Sequence, residues 1–319
     1  MFLPRKIAVG LSMSESMLSV FSEATLIAGV LGAELTLAHA VEDAQGDSAA
    51  QDLFARQARD VLWGLRVRAR SSEVAVEQTP HLCADPLALE EVTRAAGAEW
   101  LVLGPGPRHP WGRLLEGSIT PRLVRESTMP VWVARPGPGR RELKRIVVAV
   151  DDSETARNAC FLGAELARRA NAALVLLAVG PPQRTKALTL RLTDRLADEG
   201  APDHLEVVRS EGALVEVVCE HVRRTHVDLL VLGCAGRRGV RRLLRPNSAE
   251  RLLHRVPCSL LSVPTKRAQG RLYRRVGDRF VAAAARPELS ADVHQTAAHG
   301  RRARGARAGA FVGSWGEAE

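Results

Sequence analysis

The chain has 319 residues, 46% hydrophobic but only 4% aromatic, enough for two domains with sizeable aliphatic cores. Its net charge of +9 is uneven: residues 265–319 hold 11 Lys/Arg against 5 Asp/Glu, which leaves +3 on the first 264 residues. This argues against a nucleic-acid-binding core, and the absence of any run of about 18 apolar residues argues against a membrane span. Five scattered cysteines (Cys83, Cys160, Cys219, Cys234, Cys258), none in a C-x-x-C pair, argue against a disulfide framework or a zinc site and fit a reducing cytoplasm.

The chain begins "MFLPRKIAVGL", whose apolar stretch is too short for a signal peptide and lacks a small-residue cleavage site, so a cytoplasmic location is expected. From Lys6, "KIAVGLSMSESMLSVFSEATLIAGVLGAELTLAHAVE" reads as strand, helix and strand, and it recurs 139 residues later from Arg145 as "RIVVAVDDSETARNACFLGAELARRANAALVLLAVG". A polar loop near Glu42–Asp52 follows in the first copy and is absent from the second. Then "EWLVLGPGPRHPWGRLLEGSITPRLVRESTMPVWVAR" recurs as "VDLLVLGCAGRRGVRRLLRPNSAERLLHRVPCSLLSV" at an offset of 129. The chain is a tandem duplication: residues 1–135, a Pro/Gly/Arg linker at 136–143, residues 144–264, and a tail at 265–319.

In the second copy the predicted strands are "RIVVAV", "AALVLLAV", "HLEVVR", "DLLVL" and "SLLSV". Between the first two, Ala159, Leu162, Leu166 and Ala170 recur at helical spacing after Ser153. Continuous apolar strands separated by amphipathic helices predict α/β architecture, with a five-stranded, Rossmann-like parallel sheet in each copy covered on both faces. Ligands are then expected outside the carboxyl ends of the strands. The last strands, "VWVA" and "SLLSV", are short and apolar; pairing them with each other would hide two exposed edges and make an internal pseudo-dimer. The tail is rich in Arg, Ala and Gly with little periodicity, and reads as a disordered extension. Contact with RNA, DNA or an anionic surface is its alternative reading.

The segment with chemistry in it runs from Val231 to Val263. Gly233 closes the fourth strand, Gly236 stands three residues on, and after nine intervening residues Pro246, Asn247 and Ser248 enter a helix. Glycines at a strand end let the backbone turn and let a ligand approach the peptide N–H groups. A helix start offers unpaired N–H donors and the positive end of its dipole to phosphate, and Arg237, Arg238, Arg241, Arg242 and Arg245 add charge. Spacing G-x2-G-x9-G-[ST] on a five-stranded α/β unit resembles the universal stress protein family in its tandem two-domain form. The resemblance includes "VAVDDSE" at the first strand and the closing "VPCSLLSV", covers both copies, and leaves the tail aside.

In nucleotide-binding members of that family an Asp closing the first strand faces the nucleoside. The glycine loop and Gly-Ser/Thr hold the ribose and phosphates of ATP. Carried over, the resemblance implies a site of Asp151, Gly233, Gly236, Asn247 and Ser248 in the second copy, with Pro246 in place of the third glycine. The weaker first-copy set is Gly104, Gly117 and Ser118, with Ser12 in place of the Asp and Pro107 at the middle glycine. Pro246 has no N–H and adds a ring where a ligand needs close approach. Asn247 and Glu250 nonetheless suit a capped helix start, so a plain capped helix with a solvated arginine face is the alternative.

The acidic run Asp151-Asp152 with Glu154 reads as capping residues rather than a metal-assisted hydrolytic centre, although Mg2+ could ride on bound phosphates. No G-x4-G-K-[ST] or G-x-S-x-G motif is present, which disfavours a conventional ATPase or hydrolase. The histidines make no metal pattern; His39, at the end of the second strand, reads as a packed or hydrogen-bonded residue. Cys234, inside the glycine loop, reads as an unreactive small residue; a thiol pKa lowered by the neighbouring arginines, with a redox role, is the alternative. The expected function is that of a stress-response regulator or sensor that binds ATP or a related adenine nucleotide, mainly in the second copy, and signals through occupancy and a protein partner. A nucleotide-free scaffold is the alternative, and a slow ATPase stands third. Further dimerisation is left open.

Overall fold

The computed structural model describes residues 3–12, 14, 16–40, 56, 60–67, 73–77, 81–83, 89–105, 119–135, 142–234, 248–264, 273–276 and 279–282. The first copy supplies β1 (Lys6–Leu11), α1 (Met17–Leu31), β2 (Glu34–Ala40), a helical stretch α2 at 60–67, β3 (His81–Cys83), α3 (Leu89–Ala95), β4 (Trp100–Leu103), α4 (Ile119–Glu126) and β5 (Val131–Val133). The second supplies β6 (Arg145–Val150), α5 (Glu154–Ala170), β7 (Ala173–Val179), α6 (Pro182–Glu199), β8 (Leu205–Ser210), α7 (Leu214–Arg224), β9 (Leu229–Cys234), α8 (Ser248–Arg255) and β10 (Ser259–Pro264).

These ten strands form one sheet in the order β3-β2-β1-β4-β5-β10-β9-β6-β7-β8. Every neighbouring pair is parallel except β5 and β10, which run antiparallel. Each copy thus has the same doubly wound order, reversing between its first and fourth strands. The two apolar edges cover one another, which explains why both copies fall within a single compact unit, Met1–Ala285. Two further strands, β11 (Tyr273–Val276) and β12 (Arg279–Ala282), form an antiparallel hairpin inside the stretch that sequence periodicity left blank.

Local chemistry explains the helix that matters most for the site. Ser153 caps α5, its hydroxyl accepting from the Ala156 N–H at 3.1 Å, and Glu154 opposes the dipole in the first turn. Asn171 ends the helix in the left-handed region at φ 50°. The predicted face is the buried one, with Ala159, Leu162 and Leu166 fully enclosed and Ala170 half-buried against the same core. Gly163 lets α5 settle onto the sheet: a Cβ there would lie 2.5 Å from Val148 Cγ2. One core layer gathers α1, α2, α5 and α6, and the other gathers α3, α4, α7 and α8.

On α7, His221 is half-buried and its Nε2 has no hydrogen-bond partner among the described residues. Burial holds its pKa below the ordinary 6.5; Glu206 opposes that shift, and Arg145 and Arg224 reinforce it. The unfolded chain therefore takes up a proton that the folded chain resists, so the stabilising contribution is complete above about pH 6.5 and is lost as pH falls toward the lower folded value. The urea midpoint is expected to decline across that window, and His221→Leu is expected to flatten the decline. An unchanged slope in His221→Leu would assign the acid sensitivity elsewhere.

Among the described residues no helix is long and apolar enough to cross a membrane, and no group of three or more His, Cys, Asp or Glu is placed to hold a metal ion.

Candidate functional site

The strand order reverses between β6 and β9 in the second copy, and a parallel sheet leaves a crevice at such a point, outside its carboxyl ends. A cleft lies there, bounded by Val150 and Asp151 at the end of β6, Ala156 on the first turn of α5, Val179 at the end of β7, Leu214 at the start of α7, and Gly233 on β9. The structure therefore brings two predicted residues, Asp151 and Gly233, to one place. The described walls enclose only about 20 Å³, room for a water molecule rather than a base, so a larger ligand has to lie in the open mouth. Val179 and Leu214 were not singled out from the sequence; the signal that could have found them is their position at a strand end and a helix start on this edge.

Asp151 is half-buried, and its Oδ1 accepts from the Ser153 N–H at 2.8 Å. A carboxylate has acceptor capacity beyond that one bond. Asp152 turns the other way, to an ion pair with Arg191 of α6, and Glu154 is exposed. The acidic run therefore divides into a backbone acceptor, a surface ion pair and a helix-dipole residue.

Gly233 carries a different constraint from the one its position in a loop motif implies. It lies inside β9 with no positive φ. A Cβ built on it would stand 2.5 Å from Ala156 N and 2.6 Å from Thr155 O, both backbone atoms of α5. The glycine is required so that the first turn of α5 can sit against the end of β9, which sets the back wall of the cleft. Ser248 is buried at the first position of α8. Gly236, Asn247 and Pro246, like Gly117, Ser118 and Pro107 in the first copy, lie outside the described residues.

The corresponding edge of the first copy is built otherwise. Ser12 is exposed, and Ser12, Ser14 and Ser16 form a chain of hydroxyl contacts at 3.0 Å each. Ser16 stands at the N-cap of α1 with φ −79° and ψ −8°, makes no side-chain cap bond, and no acidic residue follows in the first turn. Gly104 follows β4 directly, and its carbonyl accepts from Thr120 Oγ1 at 3.0 Å, tying α4 to the strand end. The second copy has Ala249 at that position, with no hydroxyl for such a tie.

Two other expectations meet the structure here. His39 uses Nδ1 to donate to the Leu11 carbonyl at 2.7 Å, a bond between strand ends. Cys234 is buried on β9, and burial pushes its thiol up to about 12, against a smaller opposing effect from a hydrogen bond with Ser262, which goes against the redox alternative. A thiol enclosed in this way keeps its proton at neutral pH, because burial penalises the thiolate. Cys160 is likewise raised to about 12, by burial and then by Glu199. Maleimide treatment of the native chain at neutral pH, read site by site by mass spectrometry, is expected to spare Cys160 and Cys234 until the chain is unfolded. Rapid native labelling of Cys234 would restore it as a reactive thiol.

A family model, described as "Universal stress protein family", matches residues 4–135 and again residues 142–264. A universal stress protein from Archaeoglobus fulgidus is similar at 16% identity and TM-score 0.67, covering 82% of this chain and 99% of its own. A putative universal stress protein from Pseudomonas aeruginosa is similar at 19% identity and TM-score 0.58, covering 82% and 93%. A universal stress protein solved in complex with cAMP is 24% identical over 38% of this chain and 97% of its own, at TM-score 0.33. No curated protein matches the chain. With two matches in tandem spanning most of its length, and a doubly wound sheet in each, the chain belongs to the universal stress protein family in a tandem two-domain form.

Proposed function

We propose that the chain is a stress-response regulator that binds an adenine nucleotide, with ATP the first candidate, in the cleft of its second domain. Occupancy and a protein partner, rather than turnover, carry the signal. The observation that supports this most is the meeting of the Asp151 carboxylate with the end of β9 at the point where the strand order reverses. Asp151 supplies an acceptor for ribose hydroxyls, Gly233 sets the wall, and the glycine loop with Gly236, Asn247 and Ser248 takes the phosphates, Mg2+ accompanying them. In the first domain Gly104, Gly117 and Ser118 form the weaker set: Ser12 offers no carboxylate, and the Thr120–Gly104 tie holds the strand end to α4. That domain serves as the structural partner.

Calorimetric titration of Mg-ATP into the full chain tests the proposal. Micromolar binding is expected, weakened more than tenfold by Asp151→Ala, about 1.4 kcal/mol. Pro246→Gly is expected to tighten it. The small enclosed volume favours a second reading, a nucleotide-free scaffold. Absence of heat at several temperatures, with no nucleotide released on denaturing the purified protein, would decide for the scaffold.

A further inference from the structure

The seam between the two domains is not symmetric, although the fold that makes it is. In the β5–β10 ladder Leu260 pairs with Val133, Leu261 with Trp132 and Ser262 with Val131. The duplication offset of 129 makes Val131 equivalent to Leu260, Trp132 to Leu261 and Val133 to Ser262. The outer two pairs therefore exchange under the pseudo-two-fold, and the axis passes between Trp132 and Leu261. A residue on such an axis would meet its own copy if like domains paired.

This chain has placed its largest side chain on one side of that axis and a leucine on the other, both fully buried. Trp132 donates its indole N–H to Glu23 Oε1 at 2.8 Å, and Glu23 is itself buried in α1. The equivalent of Glu23, at the offset of 139, is Leu162, so the second domain brings only aliphatic groups to the axis. Pairing two first domains would set indole against indole and bring two buried carboxylates into one seam; overpacking opposes that. Pairing two second domains would set leucine against leucine and leave the space of an indole unfilled.

The rim repeats the asymmetry. The Arg135 N–H donates to Ser259 Oγ at 3.1 Å, and the Arg135 guanidinium bonds the Leu253 carbonyl. The equivalent of Ser259 is Pro130, and the equivalent of Arg135 is Pro264. Two first domains would bring Arg135 to a proline without a hydroxyl, and two second domains would bring Ser259 to a proline without an N–H. For the Arg135 N–H and the Ser259 hydroxyl, donor and acceptor exist together only in the mixed pair. Arg125 of α4 also reaches Glu250 of α8 at 3.7 Å, where the first domain has Pro121 in place of the glutamate.

We propose that Trp132 with Glu23, facing Leu261, and Arg135 facing Ser259 make this seam a lock that accepts the second domain and rejects another first domain. The partner that fits the β5 edge is β10 of the same chain, and a second copy of β5 is excluded by shape and by unmatched hydrogen bonds. The consequence is a protein that always joins one domain of each kind, independently of whether either binds nucleotide. To test it, a protease site is placed between residues 137 and 139 of the full chain. The folded, purified protein is cut, mixed with an isotope-labelled cut sample, passed through urea and back, and read by native mass spectrometry. Two-fragment particles are expected to contain one fragment of each kind, with like pairs below about a tenth of the statistical share. In the doubly substituted E23L/W132L protein, which places leucine on both sides of the axis, like pairs are expected to rise at least tenfold. Like pairs at the statistical share in the unsubstituted protein, an unchanged fraction in E23L/W132L, or fragments that fail to pair at all, would overturn the proposal.

Discussion

Trp132→Ala is expected to destabilise the folded chain by about 3–5 kcal/mol, the range for removing a large aromatic side chain from a core that cannot close over the gap. Trp132 is fully enclosed between the sheet and α1, at the centre of the strand pair that joins the domains. Its loss also takes the indole N–H from the buried Glu23 carboxylate, and a buried acceptor that loses a donor costs about 1–3 kcal/mol. Two milder replacements separate the effects. Trp132→Phe keeps most of the ring and loses the donor, whereas Glu23→Gln keeps an acceptor for the indole and removes the charge. Urea unfolding should rank Trp132→Ala as the most damaging of the three. If Trp132→Ala cost under about 1 kcal/mol, the seam would have to collapse around the gap, contrary to the packing described.

The second large effect belongs to Gly233. Gly233→Ala brings a Cβ to 2.5 Å from Ala156 N, a backbone atom of the first turn of α5. The helix cannot yield there without disturbing the Ser153 cap and the Asp151–Ser153 bond, so a cost of about 2–3 kcal/mol is expected. Gly104 supplies the internal comparison. A Cβ on it meets Val20 Cγ2 at 3.2 Å and Ser16 Oγ at 3.8 Å, both side-chain ends that can turn aside. Gly104→Ala is therefore expected to cost less than about 1 kcal/mol, within the range for tolerated core changes. Thermal unfolding of the two variants side by side checks this, and equal losses would show that close approach to α5 is not what Gly233 provides. Nucleotide titration of Gly233→Ala should show weakened binding as well, because the displaced helix carries the wall beside Asp151.

Much of this architecture was legible residue by residue. The apolar run "RIVVAV" became β6, the spacing of Ala159, Leu162 and Leu166 became the buried face of α5, and the need to hide "VWVA" and "SLLSV" became the β5–β10 pair. The site was legible only in its outline: Asp151 and the end of β9 do meet, since both follow apolar strands whose carboxyl ends share one edge. Sequence missed the reason for Gly233. A loop motif suggests room for a ligand, whereas the neighbour that excludes a side chain there is a helix some 78 residues earlier in the chain. The redox alternative for Cys234 fails for the same kind of reason: nearby arginines in the sequence say nothing of the walls around the thiol.

By itself, then, the sequence determined the two copies, the alternation of strands and helices, and which side of each element is apolar. Those properties follow from period and local propensity, which act within a few residues. Only the tertiary structure decided that the pseudo-two-fold passes between Trp132 and Leu261, that Gly233 touches α5, and that Asp151 and Asp152 serve different partners. Each of these depends on what lies across the sheet or across the seam. No local rule specifies that neighbour, because it is set by how separately formed elements exclude water and one another.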